Sequence, residues 1–427
     1  MRKEIIILIL SILSPLLATA GLTIEQCVEK ARDNYPMVKK YDLLASTLDI
    51  DLSDINKGWL PRIGVYDQVT AQNVVPSFPE SLSGVLQQMG QPMKGLGKLQ
   101  YKAGVDVSQT IWDGGVSHAQ RELRRAGTAA EQSALDVEMY AVRQRVENLY
   151  FAILLTEEQI AQNRNTMTLL DATLEKLKAM LRNGTAMQSD VDMIEAQKLT
   201  VMQGIAQAES ALSGYRTVLG MFMGESLQGV ELIRPDSVMP SELQSDRPEI
   251  RLFDTRIVAA DASRRLADTA LMPKVGLFAQ AYYGYPGFDY FKSMINRDLS
   301  FNIMAGVKVS WNIDSFYTKR NVSRRNRLDI AGIMAEKETF LFNSDMQVAS
   351  QLEKIRGIRD VMKDDSRIME LRANVRKSAE SQLQNGIIDT TALLTKITDE
   401  NQAALTTRYH EIQLVQEIYN LKYILNR

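Results

Sequence analysis

The chain contains the same long unit twice. Asn34-Tyr35-Pro36 opens a helical stretch that stops at Leu60-Pro61, and Asp246-Arg247-Pro248 opens another that stops at Met272-Pro273. Both prolines of the second copy stand 212 residues after their counterparts. In each copy two alternating, strand-like segments follow, ending at Trp112 and Trp311. A very long helical pattern comes next, then Asn183-Gly184 or Asn385-Gly386, then a second helical pattern. A repeat of this length is one supersecondary unit that completes its core only beside its copies. The chain is therefore expected to act as an assembly. The sequence divides into a first repeat at 21–223, a linker at 224–246 and a second repeat at 247–427. The linker, which carries Pro235 and Pro240, has no role that its sequence reveals.

Residues 1–20 read as a secretory signal. Arg2 and Lys3 form a basic start, Ile5 to Leu17 is an apolar run, and Ala18-Thr19-Ala20 is a small-residue cleavage site. The run is shorter than the roughly 20 residues a spanning helix needs. The mature chain is expected to begin near Gly21, with Cys27 an ordinary helix residue too far in to carry a lipid. As the only cysteine, it forms no disulfide within a monomer. No later segment is apolar for long enough to cross a membrane as a helix. A formal net charge of −2 gives no reason to expect nucleic acid as a partner.

Four segments alternate as strands do. Tyr101, Ala103, Val105, Val107 and Ile111 point one way, and Lys102, Gly104, Asp106, Ser108 and Thr110 the other. Residues 301–311 repeat this pattern, and Ile63–Ala71 and Val275–Tyr283 show weaker versions. These lengths suit tilted membrane strands, and they equally suit a soluble sandwich with one wet face. The three tryptophans, Trp59, Trp112 and Trp311, are expected at one end of the sheet, as interfacial aromatics are. The connections at the other end, Val75–Gln100 and Gly284–Leu299, are long. Four strands in lipid would leave two edges of unpaired backbone, so the sheet would have to close with other chains. Two chains would supply eight strands and three twelve, and the pattern does not choose.

Between Gly114-Gly115 and Pro235 there is no proline, and Val116 to Arg182 reads as one helix of roughly 100 Å. Met167, Leu170, Leu174, Leu177 and Leu181 step by three and four, a coiled-coil seam. Val191, Ile194, Lys198, Val201, Ile205, Ala208, Leu212, Tyr215, Leu219 and Phe222 hold that rhythm on the return helix. Val348, Leu352, Ile355, Arg359 and Met362 do so in the second half, as do Leu414, Ile418, Leu421 and Leu425. Glycine at 184 and 386 stops each long helix. Ser189 is expected to start the first return helix, with Asp190 and Asp192 in its first turn, and Asp389 with its neighbouring threonines to start the second.

No convergent polar site for catalysis is visible, and Gly95-Leu96-Gly97 lacks the rest of a phosphate loop. The chain reads as no enzyme, without cofactor or metal site. The 20 methionines read as gap-fillers, since many, such as Met167 and Met362, fall on the seams.

Taken in order, several pieces resemble the TolC-like outer membrane efflux proteins over nearly the whole mature chain. They are Leu22-Thr23-Ile24-Glu25-Gln26-Cys27-Val28 with Asn34-Tyr35-Pro36, then Trp59-Leu60-Pro61. Ser108-Gln109-Thr110-Ile111-Trp112-Asp113-Gly114-Gly115 follows, then Arg182-Asn183-Gly184 with Asp190-Val191. The resemblance implies a mostly α chain with a β-barrel portion: a homotrimer with a twelve-stranded outer-membrane barrel, continued by a helical coiled-coil periplasmic tunnel. It implies a passive efflux or type I secretion duct, set in outer-membrane lipid. The partners it implies are a periplasmic adaptor (membrane fusion) protein and an inner-membrane pump of RND, ABC or MFS type. By position, the adaptor-docking tips are Leu181, Arg182, Asn183, Gly184 and Thr185 with Leu383, Gln384, Asn385, Gly386 and Ile387. Family members carry lumen carboxylates about two turns past the second tip glycine. Here that count reaches Ala392 and Thr395, leaving Asp190, Asp192 and Asp389 as candidates for entrance gating. The alternative is a periplasmic coiled-coil adaptor without a pore, which would share the hairpin but need neither two copies nor the strands.

Overall fold

The structure is a computed structural model that describes residues 21–90 and 95–427. The expected signal segment lies outside the described residues. The main helices are α1 (Ile24–Asn34), α2 (Lys39–Lys57), α3 (Glu80–Gln88), α4 (Val116–Arg182), α5 (Gln188–Met223), α6 (Pro248–Asp268), α7 (Tyr290–Asn296), α8 (Ser315–Gln384) and α9 (Thr390–Leu425). The strands are β1 (Arg62–Ala71), β2 (Leu99–Trp112), β3 (Lys274–Tyr285) and β4 (Ser300–Ser310), in one antiparallel sheet of order β1-β2-β3-β4. Two compact units are present. One takes residues up to Asp42, Ser133–Leu252 and Glu336–Arg427, and the other takes Leu43–Gln132 and Phe253–Ala335. Each unit draws on both sequence repeats.

The first unit is a helical core. The motif that opens the resemblance, Leu22-Thr23-Ile24-Glu25-Gln26, is a capping box. Thr23 Oγ1 accepts the Gln26 amide at 3.3 Å, and Gln26 Oε1 accepts the Thr23 amide at 3.0 Å. This aims Ile24, Cys27 and Ala31 of α1 into a cluster with Val146, Tyr150 and Phe151 of α4. Leu219 of α5 and Ile412, Val415 and Tyr419 of α9 complete it. Cys27 is fully buried as a small apolar residue, and desolvation pushes its thiol up to about 12.

The segment 224–246 is part of this core and not a free linker. Leu227 and Leu232 are buried in the cluster. Leu22 N–H donates to the Glu231 carbonyl at 2.9 Å, and Ile233 N–H to that of Leu22 at 3.0 Å. Tyr150 Oη donates to the carbonyls of Leu22 and Ile233 at 2.8 and 2.5 Å. The far end is fastened by the Asp246 amide on the Leu425 carbonyl at 3.0 Å.

The long helices follow their heptad patterns, with α4 running from Val116 to Arg182 as expected. Lys198, the polar member of the α5 seam, is satisfied by Asp171 of α4 at 2.5 Å. Near the end of α5 one expected seam position, Tyr215, is exposed, and its neighbour Arg216 turns inward onto Glu157 at 2.6 Å, while the seam resumes with Leu219, buried in the core cluster.

In the second unit, Trp112-Asp113-Gly114-Gly115 turns the chain from β2 into α4. Asp113 caps the helix: its carboxylate accepts the Gly115 amide at 2.9 Å and the Ser117 amide at 2.7 Å. Gly114 has φ +71, and a Cβ there would stand 2.8 Å from that of Met272. Burial pushes the Asp113 carboxyl up, but the hydrogen bonds from Ser117 and Gly115 outweigh it and hold the group below its ordinary value. Removing the cap with Asp113→Ala is expected to lower stability by about 1 kcal/mol at neutral pH. A depressed carboxylate stabilises above its unfolded pKa, near ~3.9, and loses that contribution as pH falls through its folded pKa. The gap in unfolding midpoint between wild type and variant should therefore close on acidification towards ~pH 2. A gap that stays constant in that window would show that Asp113 does not act through its charge.

Candidate functional site

Both tips sit on one core in the first unit. Leu170, Leu174 and Leu177 of α4, Val191 and Ile194 of α5, Ala379 of α8, and Leu393 and Ile397 of α9 form a single cluster. Thr391 Oγ1 lies 3.6 Å from Met193 Sδ, so the two return helices start side by side. Each turn is a Schellman motif. The amides of Gly184 and Thr185 donate to the carbonyls of Leu181 and Met180 at 3.0 and 2.9 Å, and those of Gly386 and Ile387 to Leu383 and Gln382 at 3.0 and 2.9 Å. The glycines are left-handed, with φ +75 and +71.

Among the expected tip residues, Leu181 and Leu383 are half-buried against the shared cluster and hold the turns. Arg182, Asn183, Gly184, Thr185, Gln384, Asn385, Gly386 and Ile387 are exposed. Sequence reasoning missed Met187, which is 72 % exposed and, with Ile387 at 70 %, gives the tips an apolar pair. Its signal was available, since an unpaired apolar residue just past the turn belongs to no seam.

The three carboxylates considered for gating all serve the return helices. Met187, not Ser189, is the N-cap of α5, and Asp190 in its first turn accepts the Met187 amide at 2.9 Å. The N-cap therefore lies two residues earlier than Ser189, because a carboxylate reaching back substitutes for a capping hydroxyl. Asp192 accepts from Gln188 Nε2 at 2.7 Å. Asp389 is the N-cap of α9 and accepts the Ala392 amide at 2.7 Å. Above the tips, Arg372 of α8 meets Asp399 of α9 at 2.6 Å, and Arg376 meets Glu400 and Glu380.

The sheet lies in the second unit. Cross-strand pairs share a face. Ile63↔Val107, Val65↔Val105, Val107↔Ala279, Ala281↔Ile303, Leu277↔Val307 and Val275↔Val309 therefore make one apolar face. Asp67 and Gln109 are the polar residues on it, and none of the described residues covers it: Ile63, Val65, Val69, Phe301, Ile303, Val307 and Val309 are 65–82 % exposed. The opposite face carries Lys102, Asp106, Ser108, Gln280 and Lys308, and Gln280 Nε2 donates to Tyr66 Oη at 3.0 Å.

The three tryptophans lie at one end of the sheet. Trp59 precedes β1, Trp311 follows β4, and a bulge between Thr110 and Trp112 pairs Trp112 with Val275 on the apolar side. Without the extra residue Trp112 would face the polar side. Tyr101, Tyr283 and Phe301 mark the apolar face towards the other end. The connections there are packed. Gly97 N–H donates to Tyr285 Oη at 2.6 Å, Phe78 stacks on Phe291, and Asp289 caps α7 through the Lys292 amide at 2.9 Å. The Gly95-Leu96-Gly97 segment is thus a packed turn, with Leu96 buried.

Among the described residues no helix is long and apolar enough to cross a membrane, and no three His, Cys, Asp or Glu side chains are placed to hold a metal ion. No family model and no curated protein matches the sequence. Solved structures do match the fold. The outer-membrane channel OprN superposes with a TM-score of 0.65 at 15% identity, covering 94% of this chain and 89% of its own. The outer membrane protein VceC of Vibrio cholerae gives 0.67 at 12% identity, covering 94% and 95%. The CmeC outer membrane channel of Campylobacter jejuni gives 0.65 at 12%, covering 94% and 85%. The likeness is one of fold: the chain has the fold of the TolC-type outer-membrane channels.

Gly184→Ala and Gly386→Ala should each cost about 1 kcal/mol through the left-handed conformation. No atom stands within 4 Å of a Cβ at either position, so no clash contributes. Hydrogen exchange at the Thr185 and Ile387 amides should quicken, and less so for Gly→Asn. Unchanged exchange would count against the Schellman turns.

Proposed function

We propose that the chain is the outer-membrane channel of a tripartite efflux or type I secretion system. Three copies close their sheets into a twelve-stranded barrel, and their helices continue it as a duct through the periplasm. The observation that carries this reading is the sheet: one face is apolar but for Asp67 and Gln109 and is left uncovered by the described residues, the other is mainly polar, and both edges are open. In a closed barrel the apolar face meets lipid and the polar face lines a wet lumen. The aromatic levels fit. From Trp112 to Tyr101 is about eleven residues, roughly 36 Å along a strand and near 25 Å in height at a tilt of about 45°, the depth of an outer-membrane apolar band. The fold shared with outer-membrane channels supports the same reading. A coiled-coil adaptor without a pore would leave the sheet without a purpose.

The duct is passive and performs no catalysis. An inner-membrane pump supplies the energy, and a periplasmic adaptor meets the tips through the exposed Arg182–Thr185 and Gln384–Ile387, with Met187 beside them. Cargo is limited by the width of the duct and by the pump, which presents drugs or other toxic compounds. Asp190 and Asp389 act on opening through the helix starts that they cap, and Asp192 through the Gln188 side chain that it holds.

A photo-reactive residue replacing Arg182 or Gln384 in cells should capture a periplasmic adaptor, identified by mass spectrometry. The same residue at the exposed Arg356 of α8, away from the turns, should not. No capture from a protein shown to be folded and in the outer membrane would sink the exporter reading.

A further inference from the structure

The second repeat differs from the first where its long helix begins. In the first repeat two of the arginines near the start of α4 have partners, Arg121 meeting Asn56 at 2.9 Å and Arg124 meeting Asp51 at 3.7 Å, and only Arg125 is exposed with no partner among the described residues. At the start of α8, Lys319, Arg320, Arg324, Arg325 and Arg327 are all exposed and make no hydrogen bond or ion pair with any described residue. A cluster of five like charges left unpaired opposes itself unless something acidic lies against it.

The orientation of α8 is fixed by Asn326, buried, whose Nδ2 donates to the Ala260 carbonyl of α6 at 2.7 Å. At about 100° per residue, Tyr317, Arg324 and Leu328 lie on the opposite face, with Arg320 and Arg327 flanking it. Tyr317 and Leu328 are 81 % and 64 % exposed. Helix α2 has a matching outward face. Asp51 and Asn56 engage α4, while Ile50 is 62 % exposed between Asp49 and Asp54. Asp49 is exposed and has no partner among the described residues, and Asp54 holds only Lys57 of its own helix, at 3.2 Å.

The sheet topology says where these faces would meet. The open edges are β1 and β4. Helix α2 leads into β1 through residues 58–61, and β4 leads into α8 through residues 311–314. Pairing β1 of one copy with β4 of the next therefore sets α2 beside the neighbouring copy's α8, antiparallel and at the same end of the sheet. Counted from the strands, Asp54 stands eight residues before β1 while Lys319 and Arg320 stand nine and ten after β4, and Asp49 stands thirteen before while Arg324 stands fourteen after, each pair within one turn of the same level.

We propose that α2 and α8 form an ionic seam between neighbouring copies of this chain, with Asp49 and Asp54 of one copy meeting Arg320 and Arg324 of the next. Ile50, Tyr317 and Leu328 supply its apolar contacts. The proposal rests on the closed-barrel reading above, and its test separates the two.

The full chain is purified from membranes in detergent, and its copy number is measured first by particle mass. Three copies support the barrel reading, and any other number overturns both readings. The double variant Asp49→Cys with Arg324→Cys is then oxidised. Cys27 is buried and does not compete. Linked dimers and trimers on a non-reducing gel, absent from either single variant, are the expected result. Intact trimers that never link overturn the seam and leave the barrel standing. As a second readout, Arg320→Glu with Arg324→Glu should lower the temperature at which the trimer dissociates, and adding Asp49→Arg with Asp54→Arg should restore most of it. If the arginine variant keeps its trimer but co-purifies with less phosphatidylglycerol, the cluster is a lipid headgroup site and the proposal fails.

Discussion

Four antiparallel strands with two open edges and an uncovered apolar face do not make a finished structure. The remaining architecture depends on that incompleteness. Backbone N–H and C=O groups along β1 and β4 need partners, and the apolar face needs an environment without water. A soluble sandwich would cover the face with a second sheet, yet the described residues contain one sheet only. Closure with further copies resolves the edges and the face together. It also offers partners to the exposed apolar and charged residues on the helices that flank β1 and β4.

The helical part solves a different problem. A hairpin of long helices has little core per residue, so its order depends on seams and on what happens at their ends. At the tips the four helix ends share one cluster, and both turns use the same hydrogen-bond pattern. Farther along, polar residues that intrude on the contacts are matched across helices, as Lys198 is by Asp171 and Arg216 by Glu157. Partly buried pairs of this kind add little net stability, because desolvation offsets much of the attraction. They do penalise a slip in register, which would leave a charge unpaired at a helix contact.

Much of this was legible in the sequence because the signals are local and repeated. The bounds of α4, the four strands and the glycine turns follow from periodicity and from proline and glycine placement. What was not legible depends on groups distant in sequence or on the choice between near-equivalent caps. Asp190 reaching back to Met187 moves the start of α5 two residues ahead of Ser189. The bulge that turns Trp112 to the apolar face is a pairing irregularity with β3 and leaves no trace in β2 alone. Residues 224–246 read as a linker because Leu227 and Leu232 show no period, and only the fold reveals that they enter the core. At the tips, the exposed polar residues could be named from the turn, whereas the inward role of Leu181 and Leu383 came from a cluster spanning four helices.

Duplication raises a difficulty of its own. Two similar repeats offer two similar joints: the one inside the chain, between β2 and β3, and, in the proposed barrel, the one between chains, between β4 and β1. If these were interchangeable, copies would join in the wrong order as readily as in the right one. The chain keeps them different. The internal joint carries the bulge at Trp112 and the Gly114 turn packed against Met272 and Pro273. The corresponding turn after β4, Asn312-Ile313-Asp314, has neither glycine, and Asp314 reaches only the adjacent Ser315 amide at 3.0 Å. Arginines without partners among the described residues then follow on α8, where α4 pairs Arg121 and Arg124 and leaves only Arg125 so. The two repeats thus differ at the residues that would separate the internal contact from the proposed external one, and specificity of such an assembly requires divergence there.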